Sequence, residues 1–162
     1  MAYLLIFFAT VGALVGFRSL EHTTVERAHY STVVQAGTLD GTQFVRFAYA
    51  MEQYIETHPS ASGSLAPSSA AGAYTTSFLD EVTAWVSPPG VEPRTLICAG
   101  TFGPGALQAA VQVSGGDAAF GTPVSNGNDW ISAEGLSGDT EEALAHPVPA
   151  GADLAFVVNM QP

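Results

Sequence analysis

The chain has 162 residues, of which 15 are acidic against four arginines and no lysine, for a formal net charge of −11. Nucleic acid and anionic lipid headgroups need clustered Lys or Arg to displace counterions, so this balance excludes them as partners and favours solubility and basic partner surfaces. One cysteine, Cys98, permits no internal disulfide.

Met1 to Phe17, MAYLLIFFATVGALVGF, is apolar throughout. As a helix it would reach roughly 26 Å, a little less than a bilayer's hydrocarbon core. Leu4, Leu5, Ile6, Phe7, Phe8, Val11, Leu14, Val15 and Phe17 would face lipid, with Tyr3 and Phe17–Arg18 at the two interfaces. The expectation is an uncleaved signal anchor spanning the membrane once. The alternatives for the same residues are a cleaved signal peptide, although no basic segment precedes the apolar run, and a core or filament helix. Gly16, Phe17 and Glu21 follow the order of a pilin processing site, but cleavage there would discard the apolar helix instead of exposing it. Arg18 and Arg27 are too few to set orientation.

Beyond Arg18, Leu20, Val25, Ala28 and Val33 fall near one helical face and extend the helix. Gly37 and Gly41 then bracket Asp40, whose spacing to Gln43 is that of a capping box, so a kink or restart competes with continuity. From Gly41 to Thr57 the pattern is clear: Phe44, Phe47, Ala48, Met51, Tyr54 and Ile55 recur every three or four residues, with polar residues elsewhere around the wheel. This face is expected to pack on the protein's own sheet, and His58–Pro59 ends the helix.

Ser60 to Ser77 is low in complexity and reads as a linker. Phe78, Leu79, Val82, Trp85 and Val86 have helical spacing, stopped by Pro88–Pro89–Gly90. Arg94 to Ala99 reads as a strand, and Gly103 to Ser114 as a short helix with Leu107, Ala110 and Val111 on one face. Ala118–Thr122, Asp129–Ala133 and Asp153–Met160 are strands of an antiparallel meander, with a turn at Asn126–Gly127–Asn128 and a helical turn within Leu136–Ala145. Helix first and sheet later gives an α+β class, with a long N-terminal transmembrane and amphipathic helix followed by a small domain with an antiparallel sheet.

Catalytic chemistry has no constellation. His22, His29, His58 and His146 are dispersed, and Cys98 lies between apolar residues in an expected strand. Asn126–Asp129 resembles a calcium loop in composition only, because position 137 is Ser where the terminal glutamate belongs. Gly135–Leu136–Ser137–Gly138–Asp139 lacks the second glycine of a nucleophile elbow. No metal or cofactor is expected.

The anchor, the helix FVRFAYAMEQYIETHP from Phe44 to Pro59, and the Pro147–Leu154 turn into a final apolar strand resemble the PilM family of type IVB, conjugative-type thin-pilus biogenesis proteins. The resemblance implies a non-enzymatic accessory protein of pilus assembly or secretion. Its parts would be an inner-membrane anchor (1–17), a helical continuation packing on the domain (18–58) and a periplasmic α+β domain (59–162), with other pilus proteins as partners. The alternative is a minor pilin or pseudopilin, a homo-oligomeric filament subunit whose apolar N-terminal helices form the filament core.

Overall fold

A computed structural model of the chain describes residues 33–134 and 141–160. The chain divides after Val33, and the described residues beyond it belong to the unit Val34–Pro162. The expected anchor, the helix face from Leu20 to Ala28, His22, His29 and the Gly16–Phe17 processing pattern lie outside the described residues. Among the described residues, no helix is long and apolar enough to cross a membrane.

Helix α1 occupies 33–57 without a break. Gly37 and Gly41 therefore mark neither kink nor restart, and Asp40 lies inside the helix instead of capping it. The two glycines sit one turn apart on a buried stripe, where the backbone at Pro104 and Ala106 approaches so closely that a Cβ at either position would overlap a carbonyl oxygen. Thr38 and Thr42 are accommodated because their hydroxyls donate to the carbonyls of Val34 and Thr38, at 2.7 and 2.9 Å. The helix ends as expected: the His58 N–H donates to the Tyr54 carbonyl at 2.9 Å, and Pro59 follows.

Ser60–Ser77 is not a linker. It contains β1 (Gly63–Leu65), a 3-10 turn (Pro67–Ser69) and the start of α2 (Thr76–Glu81). Ala70 is buried, and Tyr74 stacks on Phe78 with centroids 5.5 Å apart. Low complexity concealed this because a few small residues and one tyrosine fill the space beside α1.

The helical spacing from Phe78 to Val86 also resolves differently. Thr75 caps α2 by accepting from the Phe78 N–H at 3.3 Å, and the chain turns at Glu81 into β2 (Val82–Val86). Val82, Ala84 and Val86 are buried by strand alternation, which the β-branched residues favour once a partner strand is present. That partner is β3 (Arg94–Gly100), paired antiparallel over five residues.

After β3 come α3 (Ala106–Ser114), β4 (Phe120–Val124), a 3-10 turn (Ser125–Gly127), β5 (Asp129–Ser132), β6 (Glu142–Ala143) and β7 (Leu154–Met160). Helix α3 ends at Gly115, whose left-handed φ of 76° costs no Cβ clash and lets its N–H reach back to the last turn. Its buried side is Ala106, Ala109 and Ala110; Leu107 and Val111 are half-exposed. The first meander strand runs two residues later than expected. Where 141–145 can be seen it holds β6 rather than a helical turn, and 135–140 lie outside the described residues.

All pairings are antiparallel, in the order β1-β2-β3-β7-β4-β5-β6. This is not a simple meander, because β7 inserts between β3 and β4. It pairs with β3 over seven residues, from Arg94↔Met160 to Gly100↔Leu154. As the most apolar strand it takes the centre, where both faces are covered.

On one face Leu96, Cys98, Leu154, Phe156 and Phe120 meet Phe44, Phe47, Met51 and Ile55 of α1 in a single core. On the other, Ile97, Ala99 and Ala155 pack under a strap from Leu144 to Ala152, centred on buried Val148. The strap is held at its start and at its middle. Leu144 N–H donates to Asn128 O and Val148 N–H to Gly127 O, each at 2.9 Å.

Candidate interaction surfaces

The face of α1 expected to pack comprises Phe44, Phe47, Met51, Tyr54 and Ile55. Phe44, Phe47, Met51 and Ile55 are fully buried against the sheet. Tyr54 is only half-buried and stacks on His58 with centroids 4.2 Å apart, so it closes the end of the helix instead of entering the core. Phe44 is surrounded by rings, with centroids of Phe102, Phe47 and Phe120 at 5.5, 6.2 and 6.3 Å. Sequence reasoning missed Val45, the contact glycines Gly37 and Gly41, and Tyr74. The glycine pair was the available signal: small residues four apart in a helix allow close backbone approach.

The groups that sequence reasoning weighed for chemistry are held apart or locked. Cys98 is completely buried, and burial, reinforced by the charge of Glu52, pushes its thiol well above the usual range. A thiolate nucleophile is therefore disfavoured there. The His58 Nδ1 lies 2.9 Å from the Tyr54 carbonyl oxygen and 3.0 Å from the Thr57 hydroxyl. His146, on the strap, stacks flat on Trp85 at 4.7 Å. Asn126–Asp129 forms a 3-10 turn and the start of β5, with the Asn128 amide donating to Ser125 O at 3.0 Å. No group of three His, Cys, Asp or Glu side chains that could hold a metal occurs among the described residues.

One carboxylate organises a loop. Asp153, at the foot of β7, accepts the Phe102 N–H at 3.0 Å with one oxygen and the Gly103 N–H with the other. It thereby fixes the turn whose backbone receives Gly37 and Gly41. Asp153→Ala is expected to lower the unfolding free energy by about 2 kcal/mol, since two charge-assisted bonds to backbone donors are lost. Urea unfolding followed by the fluorescence of Trp85 and Trp130 measures it; a change indistinguishable from zero would show that the turn holds itself.

A second acidic group lies across α1 and the turn after α3. The Tyr49 hydroxyl donates to Asp117 at 3.0 Å, and Asp117 in turn accepts the Ala119 N–H at 2.9 Å. Partial burial, the hydrogen bond to Asp117 and the charges of Asp117 and Glu52 push the Tyr49 phenol up to about 12. Glu52 is raised as well, by desolvation first and then by Glu56 and Asp117. A carboxyl raised in the folded state contributes stability that is present below its unfolded pKa and lost as pH rises through its folded one. Glu52→Gln is therefore expected to raise Tm at neutral pH and to leave it unchanged in acid. Thermal scans at the two pH values test the sign.

Several surface cavities border this core among the described residues. One, about 650 Å³, lies at the tip of the β2–β3 hairpin, between Val91, Pro93 and Met160. Arg94 borders it and donates Nη2 to Ala61 O at 2.8 Å, while its Nε is buried without a partner among the described residues. A second, about 330 Å³, runs under the strap beside Trp85 and His146. A third, about 500 Å³, follows the outer side of α1.

A long helix laid across an antiparallel sheet, with Cys98 sealed in the core and His58 and His146 in stacking contacts, defines a small α+β domain whose distinctive features are surfaces. The sequence profile of the PilM family matches residues 8–153, and the chain belongs to that family. A crystal structure of an Escherichia coli B7A protein named PilM is similar in fold, with a TM-score of 0.53 at 16% identity, covering 80% of this chain and 94% of that one. At that identity the likeness speaks to the fold alone. No curated protein sequence matches.

Proposed function

We propose that the chain is a non-enzymatic accessory protein of type IV pilus assembly or a related secretion system, anchored in the inner membrane by residues 1–17, with its domain in the periplasm. Family membership over residues 8–153 carries this reading. The apolar run at the start of the chain supports the anchor, and the burial of Cys98 supports a binding rather than a catalytic role. In this arrangement the domain presents its surfaces to other pilus proteins while the first residues hold it at the membrane.

Two measurements test it together. Fusions after Pro162 should give active alkaline phosphatase and dark green fluorescent protein; the reverse pattern would overturn the periplasmic placement. A strain lacking the chain should lose its pili and regain them with the full sequence but not with residues 18–162. Recovery of piliation by the shortened chain would remove the anchor from the proposal. Purified filaments containing the chain as a repeating subunit would instead select the minor-pilin reading.

A further inference from the structure

We propose that the groove between the outer side of α1 and the Ala71–Tyr74 loop docks an extended segment of a partner protein that presents an acidic side chain to Arg46. The groove is distinct from the packing face. Gln43, Arg46, Ala50 and Gln53 border it, and at 100° per residue they form a stripe on the side of α1 turned away from Phe44, Met51 and Ile55. From Gln43 to Gln53 the helix rises about 15 Å, the span of about five extended residues.

Charge selects the occupant. Residues 33–162 hold thirteen of the fifteen acidic side chains, all but Glu21 and Glu26, and only two arginines, Arg46 and Arg94. Even so, among the described residues no carboxylate lines this groove, Asp117 reaching only its Tyr49 edge through the phenol hydroxyl, whereas Glu92 shares the hairpin cavity with Arg94. Glu52 and Glu56 lie on other sides of the helical wheel. Arg46 is exposed and faces solvent as a cation within a strongly acidic surface. One carboxylate complements it, whereas a polyanion such as nucleic acid would be repelled by the surrounding charge.

The opposite wall suits a main chain. No backbone N–H or C=O of Ala71, Gly72, Ala73 or Tyr74 takes part in a hydrogen bond among the described residues. The three residues before Tyr74 carry no side chain larger than methyl, and the Tyr74 ring lies against one side of Gly72, so a peptide would meet the exposed backbone of Ala71 to Ala73 beside that ring. The amides of Gln43 and Gln53 offer both donors and acceptors from the helix side. An extended peptide with one Asp or Glu matches each of these features, and the proposal holds whether or not the first seventeen residues enter a membrane.

Titration of the isotopically labelled full chain, in an uncharged detergent, with blocked tetrapeptides tests it by NMR. Acetyl-Ala-Ala-Asp-Ala-amide is expected to shift the backbone amides of Gly72 and Ala73 and the side chain of Arg46. It should bind about fivefold more tightly than the Asn peptide, the discrimination of one exposed charged contact, and the Lys peptide should be weaker still. Arg46→Gln should abolish the preference for Asp with the rest of the spectrum unchanged, because the side chain is exposed, and Gln108→Ala on α3 should leave binding intact. Absence of shifts at Gly72 and Ala73, equal binding of the Asp and Lys peptides, or a preference that survives Arg46→Gln would each overturn the proposal.

Discussion

Phe44→Ala is expected to lower the unfolding free energy by about 4 kcal/mol, the cost of removing a fully buried aromatic ring and leaving a cavity that its neighbours cannot close. Phe44 has no exposed surface, and Phe47, Phe102 and Phe120 stand around it. These neighbours come from α1, the loop after β3 and β4, so a cavity there loosens the helix, the loop and the sheet at once. Against the total of about 5–15 kcal/mol typical of a domain, the loss is large enough to unfold a sizeable fraction of the protein on warming. Leu39→Ala is the matched control. Leu39 lies on the same helix but is 65% exposed, and the expected change is under about 0.5 kcal/mol. Chemical unfolding of both variants measures the difference; equal costs would mean that α1 does not rest on the sheet through Phe44.

Gly41→Ala is the second large effect, and its sign is the informative part. Helix propensity alone predicts a gain of about 1 kcal/mol for Gly→Ala inside a helix. The added methyl, however, would fall on the Ala106 carbonyl, and backbone cannot move aside as a flexible side chain can. Overpacking of this kind costs about 1–3 kcal/mol and occasionally more, and an overlap with a backbone carbonyl belongs at the upper end of that range, so the net expectation is destabilisation by about 2 kcal/mol once the propensity gain of about 1 kcal/mol is offset. Gly37→Ala meets the Pro104 carbonyl in the same way, and the double variant should lose less than the sum if α1 shifts outward as a unit. A stabilised Gly41→Ala protein would show that the close approach between α1 and the start of α3 is absent in solution.

The legible part of the fold was the part written in a single period. Phe44, Phe47, Met51 and Ile55 repeat at helical intervals strongly enough that only one face could be buried, and β3 and β7 are apolar runs with turn residues at both ends. Their status as core needed no partner to be named. Elements whose identity depends on a neighbour were misread. Val82–Val86 continues a helical spacing begun at Phe78, and pairing with β3 converts it to a strand. Gly63–Leu65 carries no strand signal of its own and is ordered by β2. Tyr54 matched the apolar periodicity, yet it stacks on His58 at the helix end, where the period says nothing about how far the sheet extends beneath it. The acidic surface was fixed by composition, but the gap in it around Arg46 required knowing which side of α1 the 71–74 loop lies against.

The sequence by itself determined the charge of the domain, the helix that caps its core, the central apolar strand and the absence of an internal disulfide, because each follows from residue type or from short-range period. Only the tertiary structure decided that β7 enters between β3 and β4, that Gly37 and Gly41 serve contact instead of breakage, and that Asp153 fixes the turn receiving them. The physical reason is common to all three. Each depends on atoms brought together from positions tens of residues apart, where packing and backbone hydrogen bonding outweigh the local preferences that a sequence displays.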